Sequence, residues 1–357
     1  MAAGSFASLR ENVKYYQENN YAQLIRTIDL KNNFTNSDFV YVDEVAYDFL
    51  WRVQLKEPNI VLPNIGANIG EKYYVKPQDL PKNKNVLGPN AILLRSKCND
   101  THFVYFRLST SSYDNEMKKL VGASGQPKFN KTDLKKVSLF MPSLIEQKRI
   151  ACFLALLEER IATQNKIIED LKKLKSAISH ILFSSKGAIH LSEIANVVMG
   201  QSPSSNAYND QGLGMPLVQG NLDISNGKTT PRLYTAEFNQ TTEKGNIILT
   251  VRAPVGEVAK ATQKVCLGRG VCAIIPHEEN MSDFIYQYLT FYKFMWRRYE
   301  QGSTFTSING SDVRNIFCPK VRNVSILTLL DIKINIEERV VKQYQSQKQY
   351  MLYQMFI

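Results

Sequence analysis

Arg252 and Arg269 are the residues whose neighbours best suit them to act on an anion. Arg252 stands in Val251-Arg-Ala-Pro-Val-Gly256, and Arg269 in Cys266-Leu-Gly-Arg-Gly270. A guanidinium in a loop flanked by glycine or proline can lie on a phosphate or fork onto guanine O6 and N7. Gly268 and Gly270 allow the backbone close to a duplex. Gln201, Ser202 and Asn221 are polar loop residues of the kind that hydrogen-bond phosphates or base edges. Ser303, Thr304 and Asn309 precede the last helical stretch as Ser124, Gln126 and Asn130 precede an earlier one, so all six join the candidates. Arg26 joins them because Leu24-Ile-Arg-Thr-Ile-Asp-Leu30 matches Leu217-Val-Gln-Gly-Asn-Leu-Asp223. Each position also has a plainer reading as a turn former or structural hydrogen bonder, and the two arginines as loop braces.

Catalytic signatures are missing where they would be expected. Gly227-Lys228-Thr229 resembles the end of a Walker A loop, but the position of its first glycine holds Leu222, so the backbone cannot wrap a phosphate. Gly66-Ala67-Asn68-Ile69-Gly70 is not G-x-G-x-x-G and has no βαβ setting. No Asn/Asp-Pro-Pro-aromatic tetrapeptide of amino-methyltransferases occurs. His102, His180, His190 and His277 have no metal-ligand spacing and read as surface or capping histidines. Trp296-Arg297-Arg298-Tyr299 alternates aromatic and basic residues and reads as a helix packing face with solvated arginines.

The elements that must position these loops come twice. Glu158-Glu159-Arg160-Ile161 returns as Glu337-Glu338-Arg339-Val340, an offset of 179 residues (158 to 337) that also carries Asn130 and Asp133 onto Asn309 and Asp312. Phe103 to Leu108 falls on Phe284 to Leu289 at a similar offset. A period this long excludes a solenoid, whose units run to about 20–50 residues. It describes two copies of one unit, each a globular part followed by a helical part.

Pro142 ends a strand-like run, Val137 to Met141, and Ser143 with Glu146 has the spacing of a capping box. A helix is predicted from there to Phe183. Its seam runs through Leu154, Leu157, Ile161, Ile168, Leu171, Ile178 and Leu182, with Gln164 and Lys175 as polar members. At 1.5 Å per residue this is a rod of roughly 60 Å. The C-terminal stretch is expected to repeat the register with Ile336, Val340, Gln343, Gln347, Tyr350 and Ile357, and the two helices to pack antiparallel with Gln164 and Gln343 as markers. The remaining regions read as mixed α/β, with strands around Ala91–Leu94, Val251 and Gly270–Ile275. The expected division is 1–140 and 188–318 for the globular domains, 141–187 and 319–357 for the helical regions.

Composition narrows the class of partner. The chain has 357 residues, long enough for two cores, and 44 basic against 33 acidic residues give a net charge of +11. That favours an anionic partner, nucleic acid or a membrane surface, without choosing between them. No apolar run reaches the roughly 18–20 residues that span a bilayer, and the N-terminus does not read as a signal peptide. Five cysteines without a C-x-x-C read as reduced, buried thiols of a cytoplasmic protein.

Taken together, Gly200-Gln-Ser-Pro203, Pro216 to Ile224, Val251 to Gly256, Cys266 to Gly270 and Pro142-Ser-Leu-Ile-Glu-Gln-Lys-Arg-Ile-Ala151 closely resemble the specificity subunits of type I restriction–modification systems. Nearly the whole chain is covered. The resemblance implies two α/β (α+β) target recognition domains separated by two long helices packing as an antiparallel coiled coil. Each domain would read one half of a bipartite sequence in double-stranded DNA, with the helix pair setting the spacer. The partners implied are two modification subunits and restriction subunits, with no membrane. Glu146, Gln147, Leu157, Ile161 and Leu171 are the expected docking residues for a modification subunit. The chain itself is expected to catalyse nothing and to hold no cofactor; S-adenosylmethionine, ATP and Mg belong to the partner subunits.

Two departures from the pattern stand out. The first domain lacks the G-x-S-P element, about 25 residues being expected before Leu24, and Cys318-Pro-Lys-Val-Arg lacks the Glu-Gln step. The alternative they raise is a shortened specificity-gene product acting only as a scaffold. A fused methyltransferase with an unrecognised cofactor loop is the rival from the enzyme class.

Overall fold

A computed structural model describes residues 12–35, 38–66, 68–120, 128–184, 189–298, 307–320 and 323–356. By compactness the chain divides inside its two longest helices. Unit 1 comprises Met1–Thr163 with Val341–Ile357, and unit 2 comprises Gln164–Val340.

In unit 1, strands β1 (Ala22–Ile25), β2 (Val40–Val42), β3 (Asn59–Pro63), β4 (Tyr73–Val75), β5 (Asn85–Leu87) and β6 (Ala91–Leu94) form two sheets, ordered β2-β1-β5 and β4-β3-β6. In the second, alternate side chains enter different cores. Val61 and Leu93 join Leu24 and Val86, while Ile60, Leu62 and Ile92 join Val104 and Leu108 of the helix Thr101–Leu108. A sheet buried on both faces needs such runs of apolar β-branched residues.

Unit 2 is built alike. It holds β7 (Ile189–His190), β8 (Ala195–Met199), β9 (Tyr208–Asn209), β10 (Met215–Val218), β11 (Ile224–Ser225), β12 (Lys228–Thr229) and β13 (Leu233–Thr235). After these come β14 (Thr241–Thr242), β15 (Ile247–Thr250), β16 (Val258–Lys260), β17 (Val265–Leu267), β18 (Val271–Pro276) and β19 (Phe317–Cys318). The sheets run β14-β17-β10-β13-β9, β11-β12-β16-β15-β18-β8 and β19-β7. Ile247, Leu249, Cys272 and Ile274 face Phe284, Ile285 and Leu289 of the helix Ser282–Tyr292, while Ile248, Val271 and Ala273 face Val218 and Leu267.

Equivalent pairings confirm the duplication. β1 lies antiparallel to β2 and parallel to β5, as β10 lies antiparallel to β13 and parallel to β17. Gly88 N–H donates to Ile25 O and Gly268 N–H to Val218 O, both at 2.8 Å. The strand-like reading of Ala91–Leu94 and Gly270–Ile275 is borne out, whereas Val251 lies just past β15 and Val137–Met141 forms no strand. In unit 2 the corresponding Phe317–Cys318 is a strand because Ile189–His190 pairs with it. The described residues of unit 1 hold no such partner, and Val137, Leu139 and Met141 pack their side chains on the core instead.

The first long helix is Leu144–Phe183 and the second Ser325–Met355. Ser143 Oγ accepts from Glu146 N–H at 3.4 Å at the start of the first. In unit 1, Leu154 and Leu157 are buried with Phe103, Phe106, Leu352 and Phe356, and Lys348 Nζ meets Glu158 Oε1 at 2.5 Å. In unit 2, Gln164 donates to Glu337, Lys172 meets Glu338 at 2.8 Å, and Lys175 meets Asp331 at 2.6 Å. From Gln164 with Glu337 to Lys175 with Asp331 the partner number falls as the first helix rises, so the pair is antiparallel, with Gln164 and Lys175 in the seam as expected.

The register expected for the second helix is corrected by one residue. Its buried line passes through Leu327, Ile334, Glu337, Val341 and Leu352, with Tyr344 and Lys348 half-buried between them. Ile336, Gln343, Gln347 and Tyr350 are exposed, and Ile357 lies outside the described residues. The Glu-Glu-Arg match aligns identities at 179, but the packing face repeats at 180 (157 to 337), and one residue turns a helix by about 100°. Gln343 is therefore no counterpart of Gln164. Cys266, Cys272 and Cys318 are buried as expected, but Cys98 and Cys152 are exposed. Burial pushes the Cys272 and Cys318 thiols up to about 12.

Leu157 and Leu156 are neighbours in sequence with opposite surroundings, 6% and 53% exposed. Leu157→Asp is expected to destabilise unit 1 by about 3 kcal/mol or more, and Leu156→Asp by roughly 0.5 kcal/mol or less. Urea unfolding of the purified chain followed by circular dichroism compares them, and equal losses would contradict the seam.

Candidate nucleic-acid interface

In unit 2 three loops meet at the carboxyl ends of the parallel strands β10 and β17: Gly200–Pro203, Gln219–Asp223 and Gly268–Gly270. Their backbones are packed without clearance. A Cβ on Gly200 would lie 2.1 Å from Gly268 O, and one on Gly270 2.0 Å from Gln219 O. These glycines are thus required by the neighbouring loop, whatever the ligand. Ser202 Oγ accepts from Arg269 N–H at 3.0 Å, and Gln201 N–H donates to Leu267 O at 2.9 Å.

The Gln219–Asp223 turn is pinned by a buried carboxylate. Asp223 Oδ2 accepts from Gln219 N–H at 2.8 Å, and its Oδ1 from Arg232 Nε at 3.0 Å. The loop carrying Arg252 is closed by Thr250, whose hydroxyl donates to Pro254 O at 2.7 Å and accepts from Glu257 N–H at 2.9 Å. Gly256, at φ +90°, leaves no room for a Cβ against Trp296.

Between these loops lies a cleft of about 570 Å³, lined by Ser202, Tyr208, Asn221, Leu222, Arg232, Arg252 and Arg269 among others. Arg252 and Arg269 are exposed, and neither guanidinium has a hydrogen bond or ion pair among the described residues. Asp223 is the cleft's carboxylate and is already matched by Arg232. Two arginines therefore face it uncompensated, an arrangement suited to phosphate oxygens or to guanine edges. Sequence reading brought Ser202, Asn221, Arg252 and Arg269 to this place but missed Arg232 and Tyr208. A buried aspartate such as Asp223 requires a cation, but nothing in the sequence marks Asp223 as buried.

Other candidates serve structure. Asn130 Oδ1 accepts from Thr132 and Asp133 N–H at 2.7 and 3.0 Å, and Asn309 Oδ1 from Ser311 and Asp312 N–H at 2.8 and 3.0 Å. With Asp133 and Asp312 returning bonds to their backbones, these are matched helix caps, whose side-chain oxygens are taken up by the backbone. Arg26 is also corrected: its guanidinium is held by Asp29 at 2.7 Å and by Asp38 O at 2.9 Å. The bond to Asp29 is the main cause that raises its pKa. Ser303, Thr304, Ser124 and Gln126 lie outside the described residues, as does Tyr299, while Trp296 is buried in the core as a packing residue.

Among the expected docking residues Gln147 is 2% exposed, with its amide donating to Asn99 and Pro142 and accepting from Asp100 N–H. Leu157 is buried, and Ile161 and Leu171 are half-buried, all three in seam positions. These residues hold the helix in place and are not a docking surface; Glu146 is exposed.

Unit 1 has a larger cleft, about 730 Å³, with Tyr73, Tyr74, His102, Tyr105, Glu158 and Glu159 in its lining. His102 stacks on Tyr74 at 4.1 Å and Phe106 at 4.7 Å, and burial holds its pKa below the ordinary 6.5. Burial pushes Tyr105 up to about 12. Asp79, Glu158 and Glu159 line the cleft together with Lys72 and Lys76, so it has no excess of positive side chains to suit an anionic polymer, unlike the cleft of unit 2. As pH falls through 6.5 the unfolded chain takes up a proton at His102 before the native one does, so the stability tied to this group is lost below that pH. Thermal unfolding between pH 7.5 and about 5.5 should show a steeper fall for the native chain than for His102→Gln.

No helix among the described residues is long and apolar enough to cross a membrane. A family model for the type I restriction modification DNA specificity domain matches residues 9–173 and again 187–343. A putative type I restriction enzyme MjaX specificity subunit from Methanocaldococcus jannaschii is 30% identical over 308 residues, 78% of this chain and 71% of that protein. The type I restriction–modification S subunit from M. genitalium shares the fold at a TM-score of 0.60 and 21% identity, over 84% of this chain and 83% of that one. A chain solved in work on complex assembly and conformational transition of the type I R-M system does so at a TM-score of 0.58 and 19% identity, over 97% and 92%. With two matched regions that together take in most of its length, and a fold shared with these subunits, the chain belongs to the type I restriction modification DNA specificity family.

Proposed function

We propose that this specificity subunit reads a bipartite sequence in double-stranded DNA, one half with each unit, and catalyses no reaction itself. The observation that carries the reading is the pair of uncompensated arginines, Arg252 and Arg269, standing with Asn221 over the carboxyl ends of two parallel strands. Loops at that end of a sheet are the usual place for a ligand. In unit 1 the turn corresponding to Gly268-Arg269-Gly270 is Gly88-Pro89-Asn90, so the two halves of the target are read by different chemistry. The antiparallel helices fix the spacer. S-adenosylmethionine, ATP and Mg are assigned to the partner subunits, and the complex to the cytoplasm.

Docking of two modification subunits is supported by the outer faces of the helices. Ile145 and Leu156 in unit 1, and Ile167, Leu174, Leu329 and Ile336 in unit 2, are exposed apolar residues on helices whose inner faces are already packed. A modification subunit that covers such stripes replaces the buried docking residues first expected. Leu156→Asp with Leu329→Asp should abolish co-purification with a modification subunit while the circular dichroism spectrum stays that of the native chain.

Reading and folding separate at Gly268-Arg269-Gly270. Arg269→Ala should leave stability within roughly 0.5 kcal/mol yet weaken binding of the assembled complex by about 1–3 kcal/mol. Gly270→Ala should instead lower the thermal midpoint, since its Cβ meets Gln219 O. Methylation sequencing of a randomised library by the complex should show that Arg252→Ala and Arg269→Ala alter one half-site only, with the other half and the spacer kept. Changes in both halves would defeat independent reading.

A further inference from the structure

Among the large apolar side chains that each unit leaves exposed, two occupy matching positions. Ile28 directly precedes the buried Asp29, and Leu222 directly precedes the buried Asp223; they are 42% and 66% exposed. Trp51 stands three residues before Gln54, which bridges Val86 of β5, and Phe238 three residues before Thr241, which pairs with Cys266 of β17. Both are exposed, at 62% and 51%. Those pairings are antiparallel, so the residues preceding Gln54 and Thr241 run past the carboxyl ends of β5 and β17. All four side chains therefore stand at the loop-bearing end of the parallel strand pair in their own unit.

A single exposed hydrophobic residue needs no explanation. Recurrence at two matched positions does, because the surrounding backbone differs. Ile28 is in the short helix Thr27–Lys31 and Leu222 in the 3-10 turn Asn221–Asp223, while Trp51 opens the 3-10 turn Trp51–Val53 and Phe238 lies in an irregular loop. The shared feature is exposure at the ligand end, which the local fold does not require. The setting is basic: Leu222 lines the same cleft as Arg232, Arg252 and Arg269, and the Arg52 guanidinium lies 4.9 Å from the Trp51 ring. A few apolar groups among arginines suit bases, where an aliphatic group meets a thymine methyl and an aromatic ring stacks on or wedges between base steps. A protein partner would call for a broader, continuous apolar patch with charges kept to its rim.

We propose that Ile28 with Trp51, and Leu222 with Phe238, make the apolar base contacts through which unit 1 and unit 2 each recognise their half of the DNA. The proposal rests on the DNA-reading function given above. It assigns unit 1, where Pro89 takes the place of Arg269 and Arg26 is tied to Asp29, a contact of its own.

The test uses the chain assembled with its modification subunits. The preferred target is found by methylation sequencing of a randomised DNA library, and binding to it is measured for Trp51→Ala, Trp51→Phe and Phe238→Ala. Co-purification and thermal midpoint should match the unaltered complex. Affinity should drop roughly tenfold for either alanine variant, with preference relaxed in one half-site for Trp51→Ala and in the other for Phe238→Ala. Trp51→Phe should recover most of the loss. Unchanged affinity and preference overturn the proposal, and so does loss of co-purification, which would make the surface a protein interface. Lack of any sequence preference in the unaltered complex would instead remove the DNA-reading function on which the proposal stands.

Discussion

The architecture of each unit turns on one buried carboxylate that stops a strand and shapes the loop after it. Asp29 accepts from Arg26 N–H, and Asp223 from Gln219 N–H, both at 2.8 Å and both fully enclosed. Such a group is tolerable only when its lone pairs are satisfied, and each has an arginine, Arg26 or Arg232, to complete the set. Only the carboxylate of each pair is enclosed, the arginines being partly exposed, so it is the loss of the arginine that would leave a buried charge uncompensated. The turn is thereby held whether or not a ligand is present.

The helices face a related problem with a different solution. A seam of leucine and isoleucine alone would leave sliding by a heptad nearly free of cost. The polar members Gln164, Lys175, Asp331 and Glu337 make unlike partners across unit 2, and slipping would separate them. Glu337 is 8% exposed and is met by both Gln164 and Lys333. Its position is a register device of the kind a buried polar residue provides in coiled coils. For a specificity subunit register matters as much as stability, because the helices are the elements assigned to the spacer.

Much of this was legible in the amino-acid sequence. The first long helix was predicted to within a residue at its start, because Pro142-Ser143 marks a boundary that needs only local chemistry. The duplication and the loops around Arg252 and Arg269 were legible because turn residues and glycines carry information at fixed spacing. The second helix was misread by one residue, since Glu337-Glu338-Arg339 fits either of two adjacent stripes and only the opposing helix chooses between them. The motif that holds Gln147 implies a docking residue, yet its side chain is buried. Its burial comes from Asn99 and Asp100, nearly 50 residues away. Asn130, Asn309 and Arg26 are the right residue types for binding, yet the two asparagine oxygens and the Arg26 guanidinium are engaged by the protein itself. Composition shows what a side chain is able to bond; only the fold shows what remains unbonded.

That distinction also explains how two heads on one scaffold can differ in what they read. In unit 2 the loops of the cleft are positioned by each other: Gly200 against Gly268, Gly270 against Gln219, and Ser202 against the Arg269 amide. None of these contacts uses the side chains of Arg252, Arg269 or Leu222. The backbone of the cleft is thus specified by glycines, one serine and one aspartate, leaving the outward side chains free of structural duty. Unit 1 keeps the strand pairing, the buried aspartate and the Gly88 hydrogen bond but has Pro89 in place of Arg269. Where framework and reading residues share so few atoms, one half of a target can change without disturbing either the fold or the other half.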